Sequence, residues 1–196
     1  MTTTFTITYD YLCPFARNAN EILLDELSAG ADYEVTFAPF SLHQNSLPDG
    51  APPVWEDGSA TTTGSGVLAI LWSLAVRDRF PDLFHAFHRS VFAARHDEGA
   101  DLNDDAVLQR IAAGVGLDAD AIRTVVDSGE PMASLKAEHT ALVRDHAVFG
   151  VPTFIAGDEA VFVRFMERNR PDDLRRVIEM LDWVTINEFK RTSISR

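Results

Sequence analysis

Alternating polar and apolar positions predict strands near both ends of the chain, and helical spacing predicts most of what lies between them. Residues 4–9 alternate, which is typical of a half-buried strand. After Pro14, apolar residues recur every three or four positions as far as Leu27, which predicts a helix. Alternation returns over residues 33–40. The chain therefore begins with a strand, a helix and a strand, which most often form a right-handed crossover between parallel strands.

A long loop and a block of helices follow this first unit. Residues 41–66 contain three prolines and a run of threonines, and a loop of this length is usually functional or mobile. Residues 67–146 have helical spacing interrupted by glycines, which predicts four or five helices. Residues 151–155 and 160–163 then predict a hairpin, and residues 171–181 a last helix. The predicted order is βαβ, a helical block, and ββα.

Composition and charge narrow the class of protein. The 196 residues are 46% hydrophobic, which fits one domain, or one domain carrying a large insertion. The formal net charge is -13 and no basic face is visible, so we expect no nucleic-acid partner. No apolar run is long enough to span a bilayer, and the N-terminus lacks a secretory signal pattern. We therefore expect no membrane association and a cytoplasmic protein.

The chain contains one cysteine, Cys13, which excludes an internal disulfide and a zinc site built from several thiolates. It stands where the first strand meets the first helix, and Pro14 suits the first position of that helix. A thiol at a helix N-terminus faces unpaired backbone N–H groups, so we expect its pKa to lie below the usual value of about 8.5. Arg17 would strengthen this effect if it pointed toward the sulfur. The position favours a reactive thiol over an inert core cysteine.

Two short motifs connect this cysteine to a known family. Cys13-Pro14-Phe15-Ala16 stands at the junction of strand and helix, and Gly150-Val151-Pro152-Thr153-Phe154 opens the hairpin. In this order, with helices between them, they resemble the DsbA-like thioredoxin-fold oxidoreductases. The superfamily also includes kappa-class glutathione transferases and 2-hydroxychromene-2-carboxylate isomerases. The resemblance implies an α/β thioredoxin fold over residues 1–196, with residues 67–146 as a helical domain inserted between its halves.

The resemblance also implies a site. In the family the second motif's proline is cis, which would turn the Val151 backbone toward Cys13. The side chains expected to surround a bound substrate or thiol are Asp10, Tyr11, Pro14, Phe15, Val151 and Pro152. A carboxylate beside the cysteine would oppose thiolate formation, so Asp10 either points away or accepts a proton. His43 and Trp55, in the long loop, would either form one wall of the site or belong to a solvated loop.

The sequence departs from the family at one important position, because Ala16 stands where family oxidases carry a second cysteine. Cys13 then has no internal thiol to release a bound partner. We predict a monothiol mechanism in which Cys13 attacks a disulfide and an external low-molecular-weight thiol, mycothiol or glutathione, resolves the product. We expect that thiol to be a cosubstrate, with no tightly bound cofactor and no metal. Residues 187–192 resemble the tail of actinobacterial mycothiol-dependent reductases, which favours mycothiol.

Two other functions stay open. In a kappa-type transferase or isomerase, Cys13 would replace a serine and hydrogen-bond the thiolate of a bound thiol, which then reacts with an electrophilic substrate. In a protein without enzymatic activity, the strand that carries Pro152 would bind a peptide or a partner subunit. Relatives often dimerise, so a homodimer is also an open expectation. A histidine on an apolar helical stripe, His88, is interpreted as a packed core residue.

Overall fold

The structure, a computed structural model, describes residues 2–186 and 191. Within them lies a four-stranded sheet of order β2-β1-β3-β4. Strand β1 is parallel to β2 and antiparallel to β3, and β3 pairs with β4 in a hairpin. The strands are β1 (Thr3–Tyr9), β2 (Tyr33–Pro39), β3 (Thr153–Ala156) and β4 (Glu159–Phe162).

Eight helices accompany the sheet in the described part of the chain. They are α1 (Pro14–Ser28), α2 (Leu42–Asn45), α3 (Val67–Arg79), α4 (Pro81–His96), α5 (Asp105–Gly114), α6 (Ala119–Asp127), α7 (Glu130–His146) and α8 (Pro171–Met180). The α/β class and the predicted order of elements are confirmed. Five helices, α3 to α7, occupy the segment 67–146, within the number predicted for it. The predicted loop over residues 41–66 contains one short helix, α2, which the sequence pattern did not indicate.

The central strand and the first helix build the part of the core that supports the candidate site. On β1, Ile7 and Tyr9 are fully buried, as the alternation predicts. Helix α1 buries Ile22 and Leu23, and it packs against β1, α4 and α8. No helix among the described residues is long and apolar enough to cross a membrane.

Sheet register explains why distant parts of the chain meet near Cys13. Ile7 of β1 lies opposite Phe154 of antiparallel β3. Tyr9, two residues after Ile7, and Pro152, two residues before Phe154, therefore reach the same edge of the sheet. That edge joins the turn after Tyr9, which leads to Cys13, with the segment at Pro152. The tail at residues 187–192 lies outside the described residues except for Arg191, so its resemblance stays a prediction.

Candidate active site at the start of the first helix

Cys13 is the N-cap residue of α1, with extended backbone angles (φ −89°, ψ 116°). Its sulfur accepts a hydrogen bond from the backbone N–H of Ala16 at 3.4 Å, as a capping side chain does. Its own N–H donates to the carbonyl of Asp10 at 3.1 Å, which closes the turn between β1 and α1. Pro14 begins the helix, where its missing N–H leaves no hydrogen bond unmade. Cys13 is 7% exposed, so its sulfur lies just below the surface.

The segment before β3 lies directly against this sulfur. The thiol of Cys13 donates to the carbonyl of Val151 at 3.4 Å, and the Val151–Pro152 peptide bond is cis. Thr153 anchors the segment: its N–H donates to the hydroxyl of Thr8 at 2.8 Å, and its own hydroxyl donates to the carbonyl of Gly150 at 2.8 Å. Two parts of the sequence 138 residues apart therefore form one site.

The predicted lowering of the Cys13 pKa is wrong. Burial of the sulfur raises the pKa of the thiol above its usual value, and the backbone N–H groups of Ala16 and Phe15 only partly oppose this. Negative charge on Asp10 adds to the increase, whereas the guanidinium of Arg164 lowers the pKa. Desolvation of the charged form outweighs hydrogen bonding at the helix start. The protein therefore holds Cys13 mainly as a thiol at neutral pH.

Asp10 lies beneath the site rather than on its surface. The residue is fully buried, and its two carboxylate oxygens accept from the N–H groups of Leu12 and Leu42, each at 2.8 Å. Burial raises the pKa of the carboxyl to about 6, against the opposing effect of these two hydrogen bonds. Asp10 thereby ties the turn before Cys13 to the first residue of α2.

Tyr11 also points into the interior. Its hydroxyl lies 2.7 Å from Nδ1 of His88, whose Nε2 lies 3.1 Å from Oδ1 of Asn20. The amide nitrogen of Asn20 donates to the carbonyl of Ala16, so its oxygen faces His88. Burial keeps the pKa of His88 well below its usual value, so the neutral ring donates from Nε2 and accepts the tyrosine proton at Nδ1.

These positions change the expectation for Asp10 and Tyr11. Both are fully buried, so they support the turn that carries Cys13 and do not line the surface that meets a substrate. The interpretation of His88 as a packed core residue is confirmed, because it is fully buried among the aromatic rings of Tyr9, Phe84 and Phe92.

Arg17 does not point toward the sulfur. Its Nε donates to Glu21 at 2.9 Å, and its Nη2 donates to both carboxylate oxygens of Asp97 at 2.6 Å. Arg168 completes the cluster by donating to Glu21 at 2.8 Å. The suggested role of Arg17 at the thiolate is therefore corrected: it is a buried ion-pair partner that joins α1 to the end of α4.

A different arginine faces the cysteine, and sequence reasoning did not select it. The guanidinium carbon of Arg164 lies 5.7 Å from the ring centre of Phe15 and 5.9 Å from that of Phe162. The ring of Phe149, which is 63% exposed, lies 4.9 Å from that of Phe162. We call these four side chains the rim. Phe15 was predicted for the site. Phe162 lies on the predicted hairpin, and Phe149 and Arg164 lie next to it in the sequence, but none of the three was predicted for the site.

The long loop approaches the rim through α2. The side-chain amide of Asn45 donates to the carbonyl of Phe149 at 3.0 Å, which fixes the backbone just before Gly150. Trp55 packs instead toward α7, with its ring 5.8 Å from that of His139. His43 lies on α2. Within residues 2–186 and 191, no three His, Cys, Asp or Glu side chains are grouped as metal ligands would be.

Comparison with known proteins gives this arrangement a context. The chain is 24% identical over 182 residues to the uncharacterized protein YwbO of Bacillus subtilis, an alignment that covers 82% of this chain and 90% of that protein. The cytosolic disulfide reductase DsbM of Pseudomonas aeruginosa, solved with GSH, superposes with a TM-score of 0.63 at 20% identity, over 93% of this chain and all of that chain.

A 2-hydroxychromene-2-carboxylate isomerase superposes with a TM-score of 0.64 at 16% identity, over 93% of this chain and 96% of that chain. The model of the DSBA-like thioredoxin domain matches residues 4–179, nearly the whole chain. That match includes β1 from its second residue, Cys13, the helices of the middle segment and the hairpin. The chain belongs to the DsbA-like thioredoxin domain family of thiol-dependent enzymes.

Proposed function

We propose that the protein is a monothiol disulfide oxidoreductase in which Cys13 attacks the substrate. The observation that carries this proposal is the position of the chain's one thiol. The sulfur of Cys13 caps α1 by accepting a hydrogen bond from the N–H of Ala16. It lies 3.4 Å from the carbonyl of Val151, at the edge of the partly exposed aromatic rim. A disulfide that reaches the rim meets the chain's one thiol.

The reaction has two exchange steps. The thiolate of Cys13 attacks one sulfur of a disulfide, that S–S bond breaks, and the leaving sulfur departs with the electron pair and takes up a proton. Because Ala16 offers no second thiol, the mixed disulfide on Cys13 persists until an external thiolate attacks its outer sulfur. That attack forms a new disulfide with the external thiol and returns Cys13 as a thiolate, so the protein gains and loses no electrons.

The external thiol would be a small one such as mycothiol or glutathione. A resolving thiol must reach the outer sulfur of the mixed disulfide, which is bonded to the only slightly exposed sulfur of Cys13, and this favours a small molecule over a second protein. The tail resemblance favours mycothiol, and a fold neighbour was solved with glutathione bound. Use of such a thiol agrees with a cytoplasmic location, where low-molecular-weight thiols keep cysteines reduced.

One observation favours a second function. The thiol of Cys13 donates to the carbonyl of Val151, and burial raises its pKa, so the resting group is a hydrogen-bond donor rather than a thiolate. A donor at this position suits a kappa-type transferase or isomerase, in which it would stabilise the thiolate of a bound cofactor. The superposition on an isomerase agrees with this alternative.

Replacing one atom separates the two functions. Cys13→Ser keeps an O–H donor but removes the attacking sulfur, and Cys13→Ala removes both. Disulfide turnover is measured with glutathione and with mycothiol as the reductant, after circular dichroism has shown that both variants fold. The monothiol mechanism predicts that both variants fall to the uncatalysed rate. Substantial turnover by Cys13→Ser, with loss only in Cys13→Ala, would replace it with the cofactor-activating role.

A further inference from the structure

Arg164 stands out among the charged side chains near Cys13. It is exposed, and it makes no ion pair or hydrogen bond with any of the residues 2–186 and 191 that the structure describes. Its neighbour in sequence, Arg168, by contrast pairs with Glu21. Most arginines among the described residues form ion pairs with acidic side chains. Arg95, Arg110 and Arg164 form none with a described residue, and of these three Arg164 is the one beside Cys13.

Aromatic rings hold Arg164 in place instead. Its guanidinium lies within 6 Å of the ring centres of both Phe15 and Phe162, which is the range of cation–π attraction. Contact with the rings restricts the long side chain while its N–H groups keep their hydrogen-bonding capacity. The guanidinium is therefore positioned for a ligand before the ligand arrives, which lowers the entropy cost of binding.

The backbone places this group beside the reacting sulfur. Val163, the residue before Arg164, donates its N–H to the carbonyl of Pro152 at 3.3 Å, and Val151 accepts from the thiol of Cys13. Phe15, under the guanidinium, is two residues from Cys13 in sequence. Both the hairpin and the start of α1 thus direct Arg164 to the same side of the site.

Building on the proposed function, we propose that Arg164 binds a carboxylate of the small disulfide that Cys13 attacks. The apolar part of that molecule lies on the rings of Phe15, Phe149 and Phe162. A guanidinium presents two parallel N–H groups that match the two oxygens of a carboxylate. In a protein of net charge -13, this local cation also counteracts the repulsion that an anionic substrate meets. Arg164 thereby determines specificity for anionic over neutral partners.

The test uses two aromatic disulfides that differ mainly in charge. Dithiobis(nitrobenzoate) carries a carboxylate on each ring, and dithiodipyridine carries none. Both release a coloured thiol when they react with the chain's one cysteine, so stopped-flow absorbance gives the two rate constants for Cys13. Their ratio, anionic over neutral, cancels any change in the fraction of thiolate, because that fraction affects both reactions equally.

Four proteins are compared: the wild type, Arg164→Gln, Arg164→Lys and Arg110→Gln. Arg110 is an exposed arginine on α5, and its substitution changes the net charge by the same amount as Arg164→Gln. We expect the ratio to fall about tenfold in Arg164→Gln, less in Arg164→Lys, and less than about twofold in Arg110→Gln. Equal ratios in Arg164→Gln and the wild type would overturn the carboxylate subsite.

The same experiment keeps the two proposals apart. If wild-type Cys13 reacts with neither reagent until the protein is unfolded, the proposed function fails. If Cys13 reacts readily with both reagents and only the ratio is insensitive to residue 164, the function stands and the role of Arg164 fails.

Discussion

Two arginines, one near Cys13 in sequence and one near it in space, have very different surroundings in this fold. Arg17 is 7% exposed and satisfies its guanidinium with Glu21 and Asp97. Arg164 is exposed and rests on two aromatic rings without an acidic partner among the described residues. Arg17 is close to Cys13 in sequence, and Arg164 is close to it in space. The guanidinium of Arg17 is engaged in ion pairs that join α1 to α4, whereas the guanidinium of Arg164 is available to bind a ligand at the rim.

The contrast extends to the layers that these arginines belong to. Beneath Cys13, the side chains of Asp10, Tyr11 and His88 are fully buried. Tyr11 and His88 form a hydrogen bond with each other, and the carboxylate of Asp10 accepts from a backbone N–H of the turn. Around Cys13, the rim is aromatic and partly exposed, and the guanidinium of Arg164 donates no hydrogen bond to a described residue. Changes beneath the cysteine are therefore expected to alter stability, and changes at the rim to alter reactivity.

The largest expected effect concerns Asp10 and pH. Its pKa is about 6 in the folded protein against an ordinary value of 3.8, so the folded state binds this proton more tightly than the unfolded state. The stability that Asp10 contributes is therefore present below about pH 4 and is lost as pH rises through about 6, by on the order of 3 kcal/mol. Asp10→Asn removes this dependence.

Urea unfolding at several pH values tests this prediction. The free energy of unfolding of the wild type minus that of Asp10→Asn should fall between pH 4 and 6 and stay constant above. The difference removes the contributions of other titrating groups, and the altered hydrogen bond to Leu12 or Leu42 adds only a constant. A difference that is independent of pH would show that Asp10 is not desolvated as the structure indicates.

The next effect compares the two arginines directly. Arg17→Met should lower the free energy of unfolding by about 2 kcal/mol, because it leaves Glu21 buried with fewer partners. Arg164→Met removes an exposed side chain and should change stability by less than about 0.5 kcal/mol. Chemical denaturation of the two variants provides the comparison. Equal losses would contradict the distinction between a structural and an available guanidinium.

A smaller effect is expected for the hydroxyl of Tyr11. Tyr11→Phe leaves Nδ1 of His88 buried without a donor, which should cost about 1–2 kcal/mol in unfolding free energy. Tyr33→Phe is a matched control, since the structure shows no hydrogen bond from its partly buried hydroxyl to a described residue. Cys13 should react with iodoacetamide at the same rate in all three proteins. A changed rate in Tyr11→Phe would place the tyrosine in the reactive site after all.

The smallest effect concerns the pKa of Cys13 itself. The rate of alkylation against pH should have its midpoint above the usual value for cysteine of about 8.5, since burial raises the pKa. Arg164→Gln should move this midpoint further up, because the guanidinium lowers the pKa in the wild type. A wild-type midpoint below 8.5 would show that the backbone N–H groups at the helix start, and not burial, dominate the pKa of Cys13.

Much of the fold follows from local patterns in the sequence. Alternation and helical spacing predict the order of strands and helices because these elements bury one face each. The resemblance of two motifs joins Cys13 to Val151, which periodicity alone could not do. The short helix α2 was missed, since its four residues bury no apolar side chain and leave no periodic signal.

The site could be predicted less completely because its properties depend on contacts far apart in sequence. Arg17 is directed away from the sulfur by Asp97, 80 residues later. Arg164 reaches the site only because antiparallel pairing of Thr153 with Phe162 returns the chain to the start of β3. The raised pKa of Cys13 reflects burial, which no neighbouring residue in the sequence reveals.

The most direct test of Cys13 as the attacking group is intact-mass spectrometry after incubation with oxidised glutathione or oxidised mycothiol. We expect one adduct per chain, with a mass increase of half of the disulfide less one hydrogen, that disappears when the corresponding free thiol is added. Peptide mapping should place it on Cys13. A native protein that forms no adduct, while the same chain unfolded in urea does, would contradict the account.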